Sequence, residues 1–154
     1  MVEIIGVHDC KVDAKGRLML PSALRSQLES IVSEGFILKR SIFQPCLELY
    51  PRSEWERAAK GVNKLNRFVK KNTEFIRVFM DGVRLVELDN TGRLLIPKDL
   101  AVFASVSKDI VLASALNMIE IWDKDKYMAS IKESLVDFSQ LAEDVMGQMN
   151  ETEN

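Results

Sequence analysis

The chain has 154 residues, 47% apolar and 29% charged, with a net charge of −2; this is an ordinary globular composition, long enough for one domain or for two small halves sharing a core. No apolar run approaches the ~18 residues needed to span a bilayer, and the opening MVEIIGVHDC has no basic leader before a long apolar core, so neither a membrane span nor a secretory signal is expected. Two cysteines, Cys10 and Cys46, are too few for a disulfide framework, which points to reduced thiols in a cytoplasmic protein.

Taken in chain order, short runs rich in Val, Ile and Leu alternate with turn residues. A first strand leads into the turn of DAKGRLMLP (Asp13–Pro21), and a second strand ends at Pro21, which suits the first turn of the short helix SALRSQLES. FILKRS (Phe36–Ser41) and CLELYPRSEW (Cys46–Trp55) read as two further strands running into a longer helix. The stretch SEWERAAKGVNKLNRFVKKNTEF reads as helix throughout. Within it Arg57, Lys60, Lys64, Arg67 and Lys71 fall in roughly 80° of arc, opposite Trp55, Ala58, Ala59, Val62, Leu65 and Val69. The whole series then recurs. DNTGRLLIP (Asp89–Pro97) precedes the helix KDLAVFASV, IVLASA (Ile110–Ala115) matches FILKRS, and MIEIWDKDKY (Met118–Tyr127) matches CLELYPRSEW. In the tail Met128, Ile131, Leu135, Phe138, Leu141 and Val145 step by three and four along one apolar helix face.

The repetition is measurable. Shifted by 76 positions, Gly6–Leu24 overlies Gly82–Leu100 with eight of nineteen residues identical, where about one match is expected by chance. Half of such a duplication cannot bury its own apolar face, so the two copies should close on each other. One compact unit with an internal pseudo-twofold is expected, with residues 1–76 as the first repeat and 77–154 as the second repeat plus a C-terminal helix. Residues 1–77 carry fourteen Lys/Arg against nine Asp/Glu, whereas residues 78–154 carry seven against fourteen. The halves are therefore +5 and −7, and it is local potential that steers a polyanion.

In each turn an aspartate and an arginine sit four apart around a glycine: Asp13, Gly16, Arg17 and Asp89, Gly92, Arg93. Glycine suits the positive φ of a tight turn, and aspartate accepts turn amides. The first turn also presents Lys15, where the second has Thr91, so two cations there flank a residue that lets backbone approach a phosphate. A purely structural β-turn is the competing explanation.

The two motifs in order, VDAKGRLMLPSALR with LELYPRSEW and LDNTGRLLIPKDL with IEIWDKDKY, resemble the MraZ family from about Gly6 to Tyr127. The resemblance implies an α+β fold, a duplicated AbrB/MraZ-like swapped-hairpin β-barrel with peripheral helices. It further implies a sequence-specific transcriptional regulator that assembles as a homo-oligomeric ring, binds promoter direct repeats in double-stranded DNA, and represses the division and cell-wall gene cluster. DNA contacts are then expected from Lys15, Gly16, Arg17 and Arg93, with Asp13, Asp89 and Gly92 structuring the loops, and the protein is expected in the cytoplasm on the nucleoid. One departure stands out: Arg25 in the first short helix has Ala101 as its counterpart, which weakens the expected contacts of the second half.

No other chemistry competes well. His8 and Cys10 share a strand face, but a zinc site wants four ligands and Cys46 supplies no paired motif. No nucleophilic triad, Walker loop or dinucleotide fingerprint is present. No enzyme activity, metal, cofactor, membrane or small-molecule substrate is therefore expected. The alternative from another class is an oligomeric interaction or assembly protein without DNA binding, in which both turns are scaffold only.

Overall fold

Pro21 and Pro97 hold the backbone extended at φ −55° and −57° just ahead of two short helices, and this places the ends of the strands before them. The computed structural model describes residues 2–153. The first series is β1 (Val7–Lys11), β2 (Arg17–Met19), α1 (Ser22–Leu28), a 3₁₀ segment (Glu29–Glu34), β3 (Phe36–Arg40), β4 (Leu47–Pro51), α2 (Arg52–Asn63) and α3 (Lys70–Met80). The second is β5 (Arg84–Val86), β6 (Arg93–Leu95), α4 (Lys98–Phe103), β7 (Asp109–Ser114), β8 (Ile119–Asp123), α5 (Lys124–Leu135) and α6 (Phe138–Glu153). The class is mixed α+β with antiparallel pairing, and the duplication expected from the sequence is present in the element order.

The strands do not stay within their own repeat. The larger sheet runs β1-β7-β8-β4-β3-β5, so β1 pairs with β7 of the second series and β5 pairs with β3 of the first. The remaining two strands, β2 and β6, form a separate antiparallel ribbon. Exchanging the repeats maps the pairing onto itself. In the ribbon Leu18 faces Leu94, and in the large sheet Glu48 faces Glu120, each residue opposite its own copy.

Burial follows the same rule. Leu18, Leu20, Leu24, Leu28, Phe36, Leu38, Leu47 and Leu49 are buried, and so are their copies Leu94, Ile96, Leu100, Ala104, Ile110, Leu112, Ile119 and Ile121. Each copy contributes half of one core, and a fully buried leucine is worth about 1.5–3 kcal/mol. Neither half could keep these side chains from water without the other.

Two expectations need correction. The connecting helix is broken: α2 ends at Asn63, and Lys64–Val69 form a turn before α3. Asn66 accounts for the break, since its side-chain oxygen accepts the Phe68 amide (3.0 Å) and its carbonyl accepts the Asn72 side-chain amide (3.0 Å), bonds that compete with the helical ladder. The basic stripe is therefore not one helix face. Arg57 and Lys60 lie on α2 and Lys71 on α3, while Arg67 sits in the turn and donates to the Asn63 side chain. The apolar tail is likewise two helices, parted at Val136–Asp137, where the Asp137 carbonyl accepts the first amide bond of α6 from Leu141. Everything up to Lys124 belongs to one compact unit, and the chain from Asp125 onward forms a second. In that second unit Met128, Ile131, Leu135, Phe138, Leu141 and Val145 are exposed rather than core residues.

Candidate nucleic-acid interface

The two motif turns are built alike, save for one extra side-chain bond in the second. Asp13 Oδ1 accepts the amides of Lys15 (2.9 Å) and Arg17 (3.0 Å), while Oδ2 accepts Arg17 Nε at 2.9 Å. Asp89 Oδ1 accepts the amides of Thr91 and Arg93 (both 2.9 Å) and the Thr91 hydroxyl (2.8 Å), while Oδ2 accepts Arg93 Nε at 2.9 Å. Gly16 and Gly92 sit at φ +85° and +84°, a region costly for residues with a Cβ. Their amides donate to the carbonyls of Asp13 and Asp89, both at 3.0 Å. Each turn is also tied to the opposite repeat: Ile96 N donates to Gly16 O (2.9 Å) and Leu20 N to Gly92 O (3.2 Å).

These bonds hold the carboxylates in their charged form. Asp13 is held below the usual carboxylate range first by the Arg17 amide, and Asp89 far below it first by the Arg93 amide and then by the Thr91 hydroxyl. A folded-state pKa depressed below the unfolded value of about 3.9 contributes stability that is complete above that value and is lost only as pH falls through the lower, folded one. The Gly16 and Gly92 amide resonances should therefore stay fixed in an NMR titration from pH 7 to about 4 and move only in stronger acid. Movement between pH 6 and 5 would contradict this bonding.

The β2–β6 ribbon decides where the arginines stand. Leu18 and Leu94 point into the core, so Arg17, Met19, Arg93 and Leu95 occupy the opposite, outward face. Arg17 pairs with Leu95 and Arg93 with Met19, which makes the arginines diagonal neighbours about 7–8 Å apart at Cα. Met19 and Leu95 are 44% and 56% exposed between them. Each arginine is held at Nε by its aspartate, and its terminal Nη groups have no partner among the described residues. The Lys15 ammonium is also unpaired among the described residues and lies in the exposed first turn. The structure thus brings Arg17 and Arg93 together, with Lys15 in the turn that precedes Arg17.

The repeat alignment makes Arg25 a feature of the first half, but the fold sets it beside the second turn. Its Nη1 donates to Thr91 O at 3.4 Å, and its guanidinium covers Gly92, where an added Cβ would come within 2.5 Å of Nη1. The first-half helix therefore serves the second turn. Ala101, its copy, lines a cavity of about 210 Å3 beside the first turn, together with Asp13, Lys15, Gly16 and Lys98. The departure at Ala101 falls on the first turn, not on the second.

Elsewhere the described residues hold no cluster of three or more His, Cys, Asp or Glu placed to share a metal. The Nε2 of His8 is buried without a hydrogen-bond partner among the described residues. Burial pushes the Cys46 thiol up to about 12, with Glu120 and Glu48 adding to the shift, and raises Cys10 as well. Neither cysteine has the electropositive setting of a reactive thiolate. No helix among the described residues is long and apolar enough to cross a membrane.

Comparison with known proteins agrees with this architecture. The family model described as "MraZ protein, putative antitoxin-like" matches twice, over residues 4–78 and 79–148. A Flavobacterium psychrophilum protein named transcriptional regulator MraZ is 63% identical over 99% of this chain and 98% of its own length. Proteins of the same name from Christiangramia forsetii and Cytophaga hutchinsonii are 58% and 41% identical, over 96% and 90% of this chain and 95% and 91% of their own. With two successive family matches spanning nearly all of its length, and relatives of that name 63% and 58% identical, the chain belongs to the MraZ family.

Proposed function

We propose that this protein is a sequence-specific DNA-binding transcriptional regulator whose reading surface is the outward face of the β2–β6 ribbon. The observation that carries the reading is the pair Arg17 and Arg93, each fixed at Nε by an aspartate and each with no Nη partner among the described residues, diagonal neighbours on a two-stranded ribbon. Such a ribbon fits the major groove, and an arginine presenting two Nη donors matches the O6 and N7 acceptors of guanine. Lys15 and the backbone at Gly16 add phosphate contacts from the first turn, while Asp13, Asp89 and Gly92 keep the turns in shape. The names of the relatives support the regulatory role.

The interlocked strands support a swapped-hairpin barrel of two repeats, residues 1–76 and 77–154. One ribbon presents only a few cations on a subunit whose net charge is −2, so affinity comes from repetition. We place several subunits in a ring that engages direct repeats in the promoter of the division and cell-wall cluster, repressing it from the nucleoid in the cytoplasm. The exposed Phe43, Phe68 and Val102 give the subunit apolar surface for such assembly. The same side chains favour the competing reading, an oligomeric interaction protein without DNA binding.

A gel-shift titration on the DNA upstream of the protein's own gene, at two salt concentrations and with scrambled competitor, separates the two. Wild type should retain the fragment specifically, and Arg17→Ala, while keeping its oligomeric state, should lose about tenfold or more in affinity, since a good bidentate arginine–guanine pair is worth about 1–3 kcal/mol. A folded, oligomeric wild type that retains nothing at low salt would leave the interaction protein as the reading.

A further inference from the structure

The arginines fill only one diagonal of the ribbon's outward face. Met19 and Leu95 fill the other, both exposed, and nothing in the core requires an apolar residue there. The alternation that buries Leu18 and Leu94 would accept any polar side chain at positions 19 and 95. The register pairs each of the two with a cation of the other repeat: Arg17 stands directly opposite Leu95, and Arg93 directly opposite Met19. Directly opposed residues have Cβ atoms about 4.5–5.5 Å apart, so each guanidinium stem has an apolar neighbour. Leu95 also leans along the first turn, its Cδ1 lying 3.8 Å from the point where a Cβ would stand on Gly16. Two side chains parted by arginines do not make the apolar patch of several hundred Å2 that marks a protein-docking surface. They are suited to a target the size of a methyl group.

We propose that Met19 and Leu95 are specificity-determining residues that read the C5-methyl groups of thymine in the major groove. The inference rests on the DNA-binding reading of the ribbon and deepens it, because it names a second base beside the guanine of the arginines. The thymine methyl is the apolar group that an unmodified base pair shows to the major groove, and apolar side chains contact it there. An arginine and the apolar residue opposite it are about 5 Å apart, while successive nucleotides of a strand are about 3.4 Å apart along the helix axis. The pair can therefore address neighbouring steps, with guanine under the guanidinium and thymine under the apolar side chain. The two cross-strand pairs are copies of each other, so one ribbon carries two such units, Arg17 with Leu95 and Arg93 with Met19. Leu95, branched and resting along the turn, makes the stiffer reader, whereas Met19 with its unbranched thioether adapts to its target.

The test compares the same upstream DNA, made chemically with thymine, with a duplex carrying deoxyuridine at every thymine position. The two differ by the methyl groups alone and keep every hydrogen-bonding group, and synthetic DNA holds no methylated cytosine as a second source. The full-length wild-type oligomer should bind the uridine duplex about fourfold more weakly for each methyl contacted, the effect of returning one apolar carbon to water. The double variant Met19→Ala/Leu95→Ala should bind both duplexes alike, and Leu95→Met, which keeps an apolar side chain, should retain the preference for thymine. Both residues are exposed, so thermal unfolding and oligomeric state should match wild type. The single variants Met19→Ala and Leu95→Ala, each losing part of the preference, carry the test should the double variant fail to fold. Side chains that merely brace the arginines would give a double variant that binds both duplexes more weakly with the wild-type ratio between them. That result, or equal wild-type affinity for the two duplexes, would overturn the proposal. Wild type that retains neither duplex at low salt would instead remove the DNA-binding reading and this inference with it, an outcome visible before any variant is made.

Discussion

Lys39→Ala should lower the free energy of unfolding by about 3 kcal/mol, a cost typical of leaving a buried charge without its partner. Lys39 is 2% exposed, on β3, in a row that crosses the sheet through Glu48 on β4 and Glu120 on β8. Its ammonium donates to the Arg40 carbonyl (2.6 Å) and to Glu48 Oε1 (3.3 Å), and it sits 4.8 Å from the centre of the Phe79 ring on α3. The duplication explains the arrangement. Glu48 and Glu120 are copies of each other and meet where the two repeats join, so symmetry sets two carboxylates side by side. Their further donors are neutral, the Tyr50 hydroxyl on Glu48 (3.3 Å) and the Trp122 indole on Glu120 (3.1 Å). The copy of Lys39 is Ala113, so the second repeat supplies no lysine at the matching strand position. Its removal leaves adjacent carboxylates at a half-buried joint, and the expected cost is at the low end of the buried-pair range because the Glu48 side chain keeps 14% exposure. For a chain of this size the melting temperature should fall by roughly 10 °C. Urea unfolding of Lys39→Ala and of Lys39→Met/Glu48→Leu measures the effect, and the double variant should recover most of the loss. A single variant within 0.5 kcal/mol of wild type would mean that the row is solvated and carries no such charge conflict.

Much of this molecule is legible from residue order, and what is not has a physical cause. The eight buried positions of the first copy predict those of the second, because duplication preserves spacing and the alternation of strands preserves the face. The Asp-x-x-x-Arg turns were legible for the same reason, down to the aspartate's role as acceptor. Strand partners were not, because hydrophobic alternation says which face of a strand is buried and nothing about its neighbour. That gap matters most at Arg25 and Ala101. Aligned as repeats, the alanine looks like a loss to the second half, whereas the pairing of β2 with β6 sets each short helix beside the other copy's turn. The helix breaks at Lys64–Val69 and Val136–Asp137 were hidden because an apolar stripe continues in register through both. There the polar side chain of Asn66 and the carbonyl of Asp137 make bonds that periodicity does not weigh.

Asp13→Ala and Asp89→Ala should each weaken binding to the upstream DNA by about tenfold in the contacts of a single turn, comparable to losing one good arginine pair, while leaving the fold and the oligomer unchanged. Each carboxylate accepts two turn amides and an arginine Nε, so it sets the loop and the aim of the arginine together. Removing it frees a guanidinium whose side chain then samples many rotamers, and ordering it again on DNA costs about 0.5–1.5 kcal/mol before any contact is made. The aspartates are exposed, so the core is not opened by their loss, and circular dichroism and sedimentation should match wild type. Repetition sharpens the outcome. In a ring that engages two or more subunits at once, per-turn losses multiply, and the double variant should fall by about 10² or more. Asn replacements separate the two roles, since Asp13→Asn still offers an acceptor oxygen to the amides of Lys15 and Arg17 but presents no charge to Nε. If aiming the arginine dominates, Asn should resemble Ala; if shaping the turn dominates, Asn should resemble wild type. Should Asp13→Ala, Asp89→Ala and their combination all bind as wild type does, the turns take no part in recognition, and the ribbon face between them is not what meets the groove.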